Sequence, residues 1–550
     1  MNMRTFIITA ALFVTGWCNA QEDMSTVWTT KLDFRINHSG TDPNPGDDNV
    51  GYAASDKEMA VYRNKDGSVV WTKAFKEMAP RLKKIDELIP FWESNTVFLF
   101  DHRGGNDVIC CIDLHSGATL WTSEKYSNLE EDNVIYIKEK DLFAISTKDG
   151  MTMIRARSGE ELWSTKVFTG SVGKYIIEGD DMVCVNFVGP GLAALFSGFK
   201  NQIVRLDLNT GNIKWQNTYI GRAERKVVTR TFVYDLKLES GKVMLMLNGI
   251  QVYDYATGAQ QWTAAFDFTP DGVCGAPAHA KKFGVYGAVA DPVVDGNDVY
   301  VLDCSNRRNQ YLKKYDRLTG KLIWTSPEIQ DAKCIPGMFV ADGKVILQIG
   351  GQVETQAFLY WVERTQTEEI IHREWRVQYR NIRPCGVQAF NANDGSAAWQ
   401  SERFKKEITN SFIADDRLYV CSAKALYCID HKTGQDIYEV PLGDDGVGWA
   451  AQILPYKDKV VIVGEKGVAT HTRADGKLVA HNKYKASDMD SQHDNMLLMQ
   501  TEGSDLAAFN LEDCSFKQYN ARKGAPSELS YDGKYVYVYE KKEVSKLRTL

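Results

Sequence analysis

A glycine followed four residues later by a tryptophan recurs along this chain, and no other feature restricts its fold as much. The pattern appears in KDGSVVW (Gly67, Trp71), HSGATLW (Gly117, Trp121), RSGEELW (Gly159, Trp163) and NTGNIKW (Gly211, Trp215). It continues in ATGAQQW (Gly258, Trp262), LTGKLIW (Gly320, Trp324) and NDGSAAW (Gly395, Trp399). KTGQDIY keeps the glycine (Gly434) with Tyr438, and ADGKLVA keeps Gly476 with Ala480; around LEDCSFKQ only the spacing marks Cys514 and Gln518. Successive glycines lie 50, 42, 52, 47, 62, 75, 39 and 42 residues apart. Solenoid units of about 20–35 residues are too short for this period, whereas one four-stranded propeller blade takes about 40–50.

Within each unit the segments read as strands. NTVFLF, DNVIYIKE, DDMVCVNF, NDVYVLDC, DRLYVCSA and DKVVIVGE are short, β-branched or aromatic, and introduced by Asp or Asn. The best helical stretch, FKEMAPRLKKIDELI, is interrupted by Pro80. The expected class is all-β. The glycine permits a tight turn at positive φ, and the preceding Asp or Thr holds that turn by local hydrogen bonds. The tryptophan, at a fixed distance from the turn, is expected between adjacent blades.

The extended motif resembles a known family. CIDLHSGATLW, RLDLNTGNIKW, VYDYATGAQQW and KYDRLTGKLIW place Asp113, Asp207, Asp254 and Asp316 four residues before the glycine. CIDHKTGQDIY has Asp430 there, and AFNANDGSAAW has Asn391. This is similar to the tryptophan-docking motif of the pyrroloquinoline-quinone (PQQ)-like β-propeller repeat family, and the likeness covers roughly residues 50–520. The resemblance implies a propeller of nominally eight blades, although ten or eleven repeat-like units are counted here. MSTVWTTKLDF, with Trp28, reads as an outer strand without the rest of its blade, suited to pairing with C-terminal strands and closing the ring.

The resemblance implies two functional types, quinoprotein dehydrogenases with PQQ and calcium, and non-catalytic binding scaffolds. The residues favour the scaffold. The adjacent Cys110 and Cys111 fall within a predicted strand, where neighbouring side chains point to opposite faces. The best acidic cluster, TDPNPGDDN with Asp42, Asn44, Asp47 and Asp48, offers oxygen donors for calcium but lacks the ordered spacing of an EF-hand loop. His279 and His493 stand in predicted loops. GxSxG, HExxH and phosphate-loop motifs are absent from the sequence. Cys421 and Cys428, in RLYVCSAKALYCID, read either as partners across a hairpin or as two buried thiols.

Two insertions point to binding. The segment around 350–385 concentrates Trp361, Arg373, Trp375, Arg376 and Tyr379, residue types that dominate interface hot spots. It reads as an elongated docking hairpin or as two long blade strands. A second insertion, within 184–200, is apolar and glycine-rich, and is expected over one mouth of the propeller.

Arg4, the apolar run to Val14 and the ending Cys18-Asn19-Ala20 read as a secretory signal peptide cleaved after Ala20. Residues 21–49 then form an N-terminal strand and acidic loop, and 50–550 the propeller. The expected address is secreted or periplasmic. The formal net charge is -7, and the sequence has no Lys/Arg-rich tract, which excludes a nucleic-acid footprint. No segment carries the roughly 18 consecutive apolar residues of a membrane-spanning helix. The expected partner is a protein or another envelope component, with carbohydrate as the alternative.

Overall fold

In the computed structural model the described residues are 22–550 apart from 188–199, 221–234, 267–283, 286–288, 365–368 and a few isolated positions; the side chains of 354–380 also lie outside the description. The described strands form eleven antiparallel sheets arranged as the blades of a propeller. Eleven agrees with the upper count of repeat-like units and exceeds the nominal eight. Blade 1 comprises His38–Thr41, Val50–Ala54, Glu58–Arg63 and Val69–Ala74, in that spatial order. Blades 2 to 10 repeat this meander. The helical candidate is reduced to the single turn Phe75–Met78, which ends before Pro80.

Blade 11 is assembled from both ends of the chain. Ser527–Leu529, Tyr535–Glu540 and Glu543–Arg548 supply three strands, and Ser25–Lys31 supplies the fourth, antiparallel to Glu543–Arg548. Glu22–Asp23 adds in parallel to the outer strand Phe516–Tyr519 of blade 10. The ring is thus held shut by backbone pairing between residues 495 to 523 positions apart.

The repeated motif explains how blades join. At each full motif the Trp of one blade lies on the turn glycine of the next: Trp28 on Gly67, Trp71 on Gly117, Trp121 on Gly159, and onward to Trp399 on Gly434 and Tyr438 on Gly476. Except at Trp262, the indole N–H then donates to the carbonyl that follows the motif's Asp position. Trp71 bonds Leu114 O (2.9 Å), Trp163 bonds Leu208 O (2.7 Å) and Trp324 bonds Ala392 O (3.0 Å). Trp28 makes the same bond to Asn64 O (3.3 Å) and so docks blade 11 on blade 1. At the blade 9–10 seam Ala480 leaves the indole site empty of an aromatic ring, and the Cys514 thiol donates to Ala480 O instead (3.4 Å).

The motif aspartates act on the turn. Asp113 Oδ1 accepts from Ser116 N and Oγ (both 2.8 Å), and Asp207 Oδ1 accepts from Thr210 N and Oγ1 (both 2.9 Å). Their role is conformational. The cores sit between neighbouring blades, as where Ile137, Met153, Trp163, Met182 and Leu206 join blades 3 and 4.

Candidate functional site

A four-stranded meander sorts its connections by face. Links from first to second and from third to fourth strand emerge on one face, called here the turn face. Links from second to third strand and from each blade to the next emerge on the other, the loop face. Most turn-face links are short docking turns; the loop at 42–49 is an exception. The longest links belong to the loop face: 188–202, 218–234, 266–292 and the hairpin of blade 7 all leave from and return to it. Concentrated elaboration on one face of a rigid scaffold is the usual placement of binding function.

The hairpin is the largest of these features. Lys344–Arg364 and Glu369–Asn391 are 21 and 23 residues long, against 3 to 8 for the other blade strands, and they pair in register as far as Arg364 and Glu369. At about 3.3 Å per residue, the ribbon continues on the order of 45 Å beyond its blade. The two readings of the 350–385 segment are therefore both met, since the blade strands themselves run on into the hairpin.

Where the ribbon leaves the blade, the register shifts between Ile349 and Gly351. Gly350 (φ 63°) is needed there, because a Cβ would stand 2.1 Å from Pro384 O. Such a bulge bends and twists a strand pair. The Gln352 N–H then donates to Ile408 O (2.9 Å), which ties the root of the ribbon to the connection leading to blade 8.

The register places the five candidate residues. Trp375 is opposite Phe358, Arg373 opposite Tyr360, and Tyr379 opposite Glu354. With a two-residue side-chain period these positions share one face of the ribbon, while Trp361 (opposite His372) and Arg376 (opposite Ala357) belong to the other. Outside the blade, the edge of Glu369–Asn391 has no further strand against it among the described residues; Ala397–Ser401 pairs only with Val387–Phe390.

One loop-face residue escapes sequence reading. Trp449 is 47% exposed on the loop face between blades 8 and 9. Gly446 and Gly448, both at φ 74°, shape its loop, and its carbonyl accepts from Glu465 N (3.0 Å). Lys424 Nζ, from the adjacent second-to-third turn of blade 8, lies 4.9 Å from the indole centroid, within cation–π range. Trp449 lacks the motif spacing of the structural tryptophans, and that difference alone marks it in the sequence.

The remaining candidates resolve separately. Cys110 and Cys111 enter two different cores, so they do not fit the vicinal disulfide of quinoprotein sites. Asp42 Oδ1 accepts from the backbone N and Nδ2 of Asn44 (both 2.9 Å), a local turn; Asp48 is exposed, and Asp47 lies outside the described residues. Among the described residues no three His, Cys, Asp or Glu side chains converge as a metal site. Cys421 is opposite Leu426 and Cys428 opposite Tyr419, and both are buried thiols. His279 and the 188–199 part of the apolar insertion lie outside the described residues, and His493 ends the first strand of blade 10. No described helix is long and apolar enough to cross a membrane.

Comparison with known proteins gives one family. The matching family model is described as outer membrane protein assembly factor BamB, and it aligns with residues 19–264 and 385–518. The intervening 265–384 contains blade 6 and most of the long hairpin. No curated protein matches significantly. Similar solved structures include BamB from Moraxella catarrhalis, 17% identical over 70% of this chain and 95% of that one, with a TM-score of 0.31. The computationally designed Ika8 protein is 12% identical over 71% and 100%, with a TM-score of 0.36. The dihydro-heme d1 dehydrogenase NirN is 8% identical over 72% and 74%, with a TM-score of 0.31. At such scores the family assignment rests on the family model.

Proposed function

The chain belongs to the outer membrane protein assembly factor BamB family of PQQ-like propellers, and from that premise we propose that it is an exported, non-catalytic scaffold that binds a protein of the cell envelope through its loop face. The observation that carries this reading is the hairpin of blade 7, whose ladder continues from the blade to Arg364 and Glu369. A ribbon of that length adds little to the ring's core, yet it has Trp and Arg positions on both faces and the Tyr379 position on one. Such residues concentrate binding energy when a partner covers them. The exposed Trp449 lies on the same loop face, between blades 8 and 9.

The family's description as an outer membrane protein assembly factor supports an envelope compartment. The signal-like first twenty residues agree with it. The test is affinity capture from native envelopes with three forms: the full chain, a form in which 354–379 is replaced by Asn-Gly, and Trp449→Ser. The reading requires one envelope protein to be captured by the full chain, lost with the shortened hairpin and weakened by Trp449→Ser. Capture that is unchanged in both variants contradicts it.

A further inference from the structure

At the seam where the chain's two ends meet, a cavity of about 360 Å³ opens on the turn face. It is lined by Asn64, Tyr535, Tyr537 and Lys546, with Asp42 and Asp532 at its edge. Lys546 is buried, with 9% of the residue exposed. Its Nζ donates to Asn64 O (2.9 Å), the carbonyl that also accepts the Trp28 indole N–H. It lies 4.1 Å from the Tyr535 ring centroid and 5.5 Å from that of Tyr537.

The ring contains its own controls for this arrangement. In blade 4, Arg205 is opposite Trp215 and donates to Tyr255 O, the carbonyl that accepts the Trp215 N–H. In blade 6, Lys314 is opposite Trp324 and donates to Ala392 O in the same way. Lys546, opposite Trp28, is the third member. In the first two blades a carboxylate neutralises the cation: Asp181 bonds Arg205, and Asp298 Oδ2 is 2.6 Å from Lys314 Nζ.

Both aspartates occupy one register position, two residues before the strand partner of the cation. In blade 11 that position holds Tyr535, two residues before Tyr537, the partner of Lys546. The position of the docking aspartates Asp207 and Asp316 is likewise taken by Arg548, opposite Tyr535. Two carboxylates have thus been exchanged for a phenol and a guanidinium, and the cavity stands beside the cation left without its acid. Burial lowers the pKa of Lys546 and the charge of Asp532 opposes that shift, but Asp532 pairs with Lys534, and among the described residues no carboxylate is within salt-bridge distance of the Lys546 ammonium.

We propose that the seam cavity binds a small carboxylate-bearing molecule, whose carboxylate pairs with Lys546 as Asp181 pairs with Arg205 and Asp298 with Lys314. Asp42 and Asp532 at the edge repel a second negative charge and accept hydrogen bonds from hydroxyl or amino groups. The favoured ligand is therefore a monocarboxylate with neighbouring hydrogen-bond donors, such as a hydroxy acid or an amino acid. Because the cavity lies between blade 1 and blade 11, its ligand also clamps the ring closed.

The test is thermal unfolding of the full chain in graded lactate or glycine, against sodium chloride and inorganic phosphate at matched ionic strength. The expected result is a saturable rise in Tm with lactate or glycine beyond that in chloride or phosphate. Tyr535→Asp restores the sister-blade carboxylate and should abolish the carboxylate-specific rise while leaving a folded ring. Lys546→Met should abolish it as well, and Tyr535→Asp carries the decision if Lys546→Met fails to fold. An equal rise in phosphate, no rise beyond chloride, or a rise that survives Tyr535→Asp overturns the proposal.

Discussion

Trp121 of blade 2 lies on Gly159 of blade 3 so closely that a methyl group on the glycine would stand 2.5 Å from the indole Cγ. Each motif glycine therefore has two reasons to be glycine. It takes a positive φ in its own turn, and it forms the floor on which the preceding blade's ring rests. Gly179 separates the two effects, because it shares the positive φ (63°) and has nothing within 4 Å of its Cβ position. Gly179→Ala is expected to cost only about 1–2 kcal/mol of backbone strain. Gly159→Ala should cost more, since the indole must also move. Thermal or denaturant unfolding of the two variants measures the difference, and equal losses would show that the ring contact contributes nothing.

The indole hydrogen bond can be isolated in a similar way. Trp121 Nε1 donates to Ala156 O (2.9 Å), whereas Trp262 Nε1 is buried without a partner among the described residues. Trp121→Phe strands a carbonyl, at a cost on the order of 1–3 kcal/mol beyond the lost ring area. Trp262→Phe removes an unsatisfied donor instead. The Trp262 variant should thus be the more stable of the two in denaturant unfolding.

A buried acid makes the closing seam sensitive to pH. Glu528 accepts from Thr41 N (2.6 Å) beside the hydroxyl cluster of Thr41, Tyr62 and Tyr539, and burial raises its pKa. A carboxyl whose folded-state pKa is raised binds its proton more tightly when folded. Its ionisation costs stability as pH rises from the unfolded value, 4.5, through the folded one. Glu528→Gln, always neutral, should accordingly be more stable than the parent at neutral pH, with the gap closing as pH falls through the raised folded-state pKa towards 4.5 and absent below it. A gap that widens on acidification would show the opposite linkage.

Much of this was legible in the residues. The strands, the inter-blade role of the tryptophans and the turn role of the aspartates follow from spacing and side-chain chemistry. The blade number was harder, because the blade 9–10 seam has replaced its markers with Ala480 and Cys514, and blade 11 is divided between the two ends of the chain. The floor role of the glycines also stayed hidden, since it lies between repeats. The seam cavity joins Asn64 to Lys546 and Tyr535, a proximity that no local pattern encodes. For the hairpin, residue types suggested binding, but only strand register divides Trp375 and Tyr379 from Trp361.

The ring should not depend on the far part of that hairpin. Val345, Leu347, Ile349, Val353 and Ile382 belong to the core between blades 6 and 7, and all precede or follow the segment 354–379. Replacing 354–379 with Asn-Gly leaves Val353 and Arg380, already opposite each other, joined by a two-residue turn. The shortened form should unfold within a few degrees of the parent. A large drop in Tm would mean that the ribbon is structural, and would remove the main support for a docking role.

The most direct measurement places a photo-activatable cross-linking residue at single positions and exposes the protein in its native envelope. Positions 361 and 449 report on the loop face; positions 158 and 209, in docking turns of blades 3 and 4, report on the turn face. A loop-face scaffold predicts cross-links to one and the same envelope protein from 361 and 449, and none to it from 158 or 209. Cross-links from the turn face alone, or none from 361 and 449, would contradict it.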